Sequence, residues 1–275
     1  MTKTVALALG GGGARGLAHI AVLEALDEMG VKPVAIAGAS IGAIIGAGYA
    51  AGMSGRDIRR YAIGLAHDRA GMMKRMMNSR AGKLTSLFAG GFGDATRLDA
   101  EKLCQNFLPD GMPDDFDRLA IPLTVVASDL YRRQPVVFSQ GPLKPALAAS
   151  IALPGIVRPV EIGGHILVDG GATNPLPFDL LRGRADVVVA VEISGPPSPE
   201  GREVPNAIEC LYATVLVMTH SIISEKLKHG GPDLLLQPNV GSFRALDFMR
   251  ASAILRVAEP IKAELKERLG ALLAA

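Results

Sequence analysis

Residues 34–53 read VAIAGASIGAIIGAGYAAGM, twenty positions without a charged side chain. That length is nominally enough to span a bilayer as a helix. The content is mostly Ala and Gly, with Val34, Ile36, Ile41, Ile44, Ile45 and Met53 as the larger aliphatic residues. Gly38, Gly42 and Gly46 have small-xxx-small spacing, which mediates helix contact in lipid but equally lets a soluble helix press onto a sheet. The second reading is adopted: a buried strand at Val34–Ala37, a turn through Gly38-Ala39-Ser40-Ile41-Gly42, and a helix over Ala43–Ala51.

The chain before this stretch has the same plan. Val5–Leu9 is a short apolar run that stops at four consecutive glycines, a poor signal-peptide core and a good buried strand. Leu17–Met29 has helical periodicity, with Leu17, Ile20, Ala21, Leu23 and Leu26 on one face, and Gly30 closes it. Strand, helix, strand, helix points to an α/β unit with a parallel sheet. Further strands are expected at Ile121–Ser128, Val136–Ser139, Ile166–Val168 and Val187–Ile193. Helices are expected at Ile208–Lys228 and Phe248–Leu269, the second kinked or restarted at Pro260. Gly195–Pro205 reads as an exposed loop. The expected fold is one α/β domain over residues 1–275, with a mostly parallel central sheet flanked by helices.

Composition narrows the function. The chain has 275 residues, 49% hydrophobic and 20% charged, which supports a large core and excludes wholesale disorder. Twenty-nine basic against twenty-seven acidic residues leave +2, a balance that argues against a nucleic-acid binder. Cys104 and Cys210 are isolated, so neither a disulfide framework nor a cysteine metal site is implied, and a reducing, cytoplasmic compartment is expected. No carboxylate or histidine cluster has ligand spacing, and no metal or cofactor is expected.

The charge is unevenly spread. Arg56–Lys83 holds eight basic and two acidic residues, +6 locally, which leaves −4 for the remainder. It also carries Met72, Met73, Met76 and Met77. A solvated helix whose Met face packs on the core is the reading adopted. The alternative is a mobile lid over residues 56–93 that contacts an anionic membrane surface through Arg56–Lys83.

Three elements carry chemistry. Gly38–Gly42 is a G-x-S-x-G placed after a strand and before a helix, a turn that lifts the serine Oγ out of the sheet. An unreactive serine in a tight small-residue turn would look the same. Gly11–Gly16 satisfies G-x-G-x-x-G after a strand, which raises a Rossmann-like nucleotide site. Such a site needs a carboxylate ending the second strand, and Gly38-Ala39-Ser40 stands there instead. The glycine loop then reads as a set of oxyanion-binding N–H groups, with Arg15 as added positive charge or as a surface helix residue. The third element is Val168-Asp169-Gly170-Gly171, an acid at the end of an apolar strand. None of His19, His67, His165, His220 and His229 occupies an obvious strand-end loop behind a late acid, so a carboxylate with a burial-raised pKa is the candidate base.

In this order, the glycine loop with its Arg, G-x-S-x-G and D-G-G resemble the patatin-like phospholipase family, in its small single-domain bacterial members. The resemblance runs from Val5 to about Gly171 and includes GGGGARGLAHIAVLEAL at residues 10–26 and the block Ala149-Ser150-Ile151-Ala152-Leu153-Pro154. It implies a three-layer α/β/α fold and a serine acyl hydrolase acting on lipid esters, phospholipid or lysophospholipid. Ser40 would be the nucleophile and Asp169 the base. The N–H groups of Gly11, Gly12 and Gly13, helped by Arg15, would form the oxyanion hole. Ser150 and Pro154 are read as structural, in a turn that shapes the pocket floor. The rivals are a non-catalytic adaptor of the same fold, against which the intact Ser40, Asp169 and glycine loop count, and the Rossmann-like nucleotide binder.

Overall fold

The computed structural model describes residues 3–80, 98–194 and 207–275. Strand β1 (Val5–Leu9) leads through a 3-10 turn at Gly13–Ala18 into α1 (His19–Glu28); β2 (Ala35–Ala39) leads into α2 (Ile41–Ala50). The uncharged stretch 34–53 is therefore divided between a strand and a ten-residue helix, about 15 Å long and too short to cross a bilayer. Among the described residues, no helix is long and apolar enough to cross a membrane.

Helices α3 (Gly55–His67), α4 (Arg69–Asn78) and α5 (Ala100–Phe107) follow, then β3 (Leu123–Asp129), β4 (Gln134–Phe138), α6 (Leu143–Ser150), β5 (Val160–Ile162) and β6 (His165–Asp169). The last elements are β7 (Val187–Val191), α7 (Ala207–Lys228), β8 (Leu234–Leu236), α8 (Ala251–Ala258) and α9 (Ile261–Ala274). Pro260 caps α9 and separates it from α8, as a residue without an N–H should. Gly195–Pro205, expected as a loop, lies outside the described residues.

The strands form one sheet in the order β5-β6-β3-β2-β1-β7-β8, with β4 also on β3. Among the described residues, β8-β7-β1-β2-β3 are parallel neighbours, whereas β4 and β6 join β3, and β5 joins β6, antiparallel. The parallel part is thus one side of the sheet, and antiparallel strands complete the other.

One strand explains the layering. Val5, Leu7 and Leu9 of β1 point into a large core with Leu23 of α1, Leu147 of α6, Leu255 of α8 and Leu265 of α9. Ala6 and Ala8 point the other way, toward Phe178, Leu181 and Ile223 of α7. Alternation sends successive side chains to opposite faces. The small alanine face admits the Phe178 ring, which is buried. Both faces are covered, giving helix, sheet and helix layers.

The basic segment departs from expectation. Helix α3 is tied down: Ser54 and Asp57 form a capping box, Ile58 is buried, and Arg59 binds Glu24 of α1. Helix α4 buries no residue, and Met73, Met76 and Met77 are exposed. Its Met face does not pack on the core; α4 is tied to α5 by Arg75 donating to the Asn106 carbonyl and, just past its end, by Asn106 Nδ2 donating to Ser79 Oγ. Residues 81–93 of the expected lid lie outside the described residues.

Candidate active site

The register of β3 sets up the site. Strand β4 lines one edge of β3 from Val125 to Asp129, so β2 and β6 must share the other edge end to end. Val126 faces Ala39, the last residue of β2, and the next residue, Ala127, faces Asp169, the last residue of β6. Two strands of opposite direction therefore end head to head, with Ser40 and Asp169 at their tips.

Ser40 sits between β2 and α2 at φ 54°, ψ −126°; only Arg133 shares a positive φ among the described non-glycine residues. A serine held there is strained. The flanking glycines are sterically required: a Cβ on Gly42 would lie 2.2 Å from the Leu9 carbonyl oxygen, and one on Gly38 2.6 Å from the Ala43 nitrogen. The turn directs Ser40 Oγ to donate to Asp169 Oδ2 at 2.6 Å. Asp169 Oδ1 accepts the Gly171 N–H at 2.8 Å. Burial pushes the Asp169 carboxyl up to about 6, against the opposing pull of the Ser40 and Gly171 hydrogen bonds.

Among the described residues, no histidine lines the cleft. His165 Nδ1 pairs with Asp129 Oδ2 at 2.7 Å, and buried His19 donates through Nε2 to the Gly10 carbonyl at 2.8 Å. Burial drops His19 to about 4, so its ring is neutral at pH 7.

The glycine loop abuts Ser40; a Cβ on Gly11 would lie 3.2 Å from the Ser40 Cβ. The structure corrects two members of the expected donor set. The Gly11 N–H donates to the Pro175 carbonyl at 2.9 Å and is therefore occupied. The Arg15 guanidinium turns away from the cleft and donates to the carbonyls of Phe243 and Ser194 at 2.6 Å and of Gly241 at 3.2 Å. It is buried, which disfavours its charge, while Glu192 and Asp247 compensate. Arg15 thus clamps two distant loops. The N–H groups of Gly12 and Gly13 have no hydrogen-bond partner among the described residues. Gly13 has φ +64°, and a Cβ there would meet the Ala245 carbonyl oxygen at 2.2 Å, so the backbone is shaped for glycine.

Ser40, Asp169, Gly12 and Gly13 open onto one cleft, continuous with solvent. Its walls are mainly apolar: Leu153, Pro175, Ala245, and Val215 and Leu216 of α7. A serine hydroxyl bonded to a carboxylate of raised pKa, unpaired N–H donors and an apolar wall form an arrangement able to support acyl transfer. The nucleotide reading loses two of the loop's donors, since the Gly11 and Ala14 N–H groups are bonded to the carbonyls of Pro175 and Ala245. Among the described residues, no group of three or more His, Cys, Asp or Glu could hold a metal ion. Sequence reasoning missed Thr219 as a cleft residue and gave Ser150 only a structural role, though its Oγ accepts the Ser40 N–H at 2.9 Å. An α-helical Ser or Thr carries no signal for either contact.

Residues 7–182 match the family model described as patatin-like phospholipase. An uncharacterized NTE family protein of Mycobacterium bovis is 39% identical over 220 residues, covering 80% of this chain and 57% of that protein. Patatin-like phospholipase domain-containing protein 7 of Rattus norvegicus is 35% identical over 195 residues, 70% of this chain and 14% of that protein. The chain thus spans little more than half the length of its mycobacterial relative. The crystal structure of VipD from Legionella pneumophila shares the fold, at TM-score 0.51 and 16% identity, covering 97% of this chain and 67% of that one. A match over well more than half of the sequence, spanning the glycine loop, the Ser40 turn and the Asp169 turn, places this chain in the patatin-like phospholipase family.

Proposed function

We propose that the chain hydrolyses carboxylic esters of lipids, phospholipid or lysophospholipid, through a Ser40–Asp169 dyad. The observation that carries this reading is the 2.6 Å hydrogen bond from Ser40 Oγ to Asp169 Oδ2 at the mouth of an apolar cleft. Asp169 takes the Ser40 proton as Oγ attacks the ester carbonyl. The N–H groups of Gly12 and Gly13 bind the developing oxyanion, aided by the positive end of α2. Asp169 returns the proton to the leaving alcohol, leaving an acyl group on Ser40. It then activates a water that releases the acid. A carboxyl raised to about 6 is still ionised at pH 7 and is a stronger base than an ordinary aspartate. The family membership and the apolar cleft walls support a lipid ester as the substrate.

Labelling by a fluorophosphonate probe tests the reading. Wild type is expected to label and Ser40→Ala not to label. An unlabelled wild type would favour the non-catalytic adaptor, and labelling that survives in Ser40→Ala would assign the nucleophile to another serine.

The exposed Met73, Met76 and Met77, beside Lys74, support a further part of the reading: α4 contacts an anionic lipid surface. Lys74→Glu is expected to weaken binding to phosphatidylserine vesicles at low salt. Unchanged binding would remove α4 from the interface.

A further inference from the structure

The turn that ends α6 grips both halves of the dyad. Ser150, the last residue of α6, is fully buried. Its Oγ accepts the Ser40 N–H at 2.9 Å and donates to the Val126 carbonyl at 2.6 Å. Two residues later, the Ala152 carbonyl accepts the Asp169 N–H at 3.0 Å. Val126 is the β3 residue that faces Ala39, so the same short turn is bonded to the elbow, to the base and to the strand between them.

We propose that Ser150 is a positioning residue, and that residues 150–152 form a bracket that fixes the separation of Ser40 and Asp169. This rests on the hydrolase reading above. A strained backbone persists only where its surroundings over-determine it. The glycines around Ser40 make room for the turn, but room alone does not hold it. The polar hold on its N–H is the Ser150 hydroxyl. A serine hydroxyl can accept one hydrogen bond while donating another, which is what the position uses. Alanine there would leave the Ser40 N–H unpaired, and the elbow could relax away from φ 54°, moving Oγ from Asp169. The bond also withholds the nucleophile's own N–H from the oxyanion, consistent with donors at Gly12 and Gly13.

Ser150 is fully buried and does not line the cleft, so substrate does not touch it. Its effect must pass through Ser40 and appear in kcat, not KM. A loosened Ser40 would also donate less well to Asp169, removing a bond that holds the carboxyl down against burial. The acid limb of the pH profile would then move up.

The test is steady-state hydrolysis of p-nitrophenyl butyrate between pH 4.5 and 8.5 by wild type, Ser40→Ala and Ser150→Ala. Ser150→Ala is expected to lose about ten- to a hundredfold in kcat, the scale of a misplaced reacting group, with KM within about twofold of wild type. Its profile midpoint is expected above the wild-type one. Wild-type kcat and midpoint in Ser150→Ala, whatever its melting temperature, would overturn the bracket, as would a change in KM alone. If Ser150→Ala does not fold, Ser150→Cys, which keeps the shape but bonds weakly, carries the same test with a smaller expected loss. An inactive wild type would overturn the hydrolase reading and the bracket with it; an active wild type with an unaltered Ser150 variant overturns the bracket alone.

Discussion

Asp169 and Glu24 are almost equally hidden, 6% and 7% exposed, yet their carboxyl groups are driven in opposite directions. Around Asp169, burial dominates, and the two hydrogen bonds it accepts, from a hydroxyl and a backbone N–H, leave it at about 6. Around Glu24, burial also raises the carboxyl but is outweighed by Arg59 and Lys262, which hold it below the ordinary glutamate value. Arg59 grips both Glu24 oxygens at 2.6 Å, and Lys262 sits at 2.6 Å, so one carboxylate ties α1 to α3 and α9. The Glu24 region uses charge to hold helices together. The Asp169 region leaves its carboxylate without a cationic partner, at a cost to the fold, which suits the role of base proposed for it.

The largest effect that tests this contrast is on rate. Asp169→Asn is expected to slow acylation by about 10²–10⁴-fold, the range for losing a positioned base. Gly13→Ala comes next: the new Cβ collides with the Ala245 carbonyl and displaces an N–H donor, and a loss of about a hundredfold or more in kcat is expected. Near-wild-type kcat in Gly13→Ala would show that the glycine loop does not bind the oxyanion.

Stability supplies the paired test, with opposite signs. The folded-state value of Asp169 is raised, so stability is greatest below the ordinary value of 3.8 and falls as pH rises through about 6. That rise corresponds to about 3 kcal/mol lost above pH 7. Asp169→Asn is therefore expected to be more stable than wild type by up to about 3 kcal/mol at pH 8 in urea unfolding, with the gain shrinking below pH 6. Glu24 is lowered, so its contribution is present above the ordinary value of 4.5 and is lost as pH falls through the lowered value. Glu24→Gln is expected to cost about 2 kcal/mol at pH 8, the scale of hydrogen bonds to charged groups, with the cost shrinking in acid. Gains or losses of the same sign in both variants would break the comparison.

Much of the Asp169 region was legible in the sequence because it depends on local pattern. The apolar runs at Val5–Leu9 and Val34–Ala37, the glycines around Ser40 and the acid closing Ile166–Val168 each leave a signature within a few residues. What was not legible depends on acceptors that have no signature. Arg15 is taken out of the cleft by three backbone carbonyls lying 179, 226 and 228 residues away, and any residue supplies a carbonyl. Gly11 is occupied by the carbonyl of Pro175 in the same way. The meeting of Ser40 and Asp169 across 129 residues comes from β2 and β6 sharing one edge of β3, a register set by the whole sheet. The Met face of α4 was expected on the core because a charge run is usually the solvated face of a helix; Met73, Met76 and Met77 are exposed instead. Glu24 itself gave no signal, since its partners Arg59 and Lys262 come from α3 and α9.

The central claim is that Asp169 is the base for Ser40, and the pH dependence of acylation tests it most directly. Single-turnover release of p-nitrophenol from p-nitrophenyl butyrate should be followed from pH 4.5 to 8.5 for wild type and Asp169→Asn. For wild type, the acylation rate is expected to rise about tenfold per pH unit below about 6 and to level off above it. Asp169→Asn is expected to be slower throughout and to lack that inflection. An Asp169→Asn protein that acylates Ser40 at the wild-type rate, or that keeps the inflection near 6, would contradict the account.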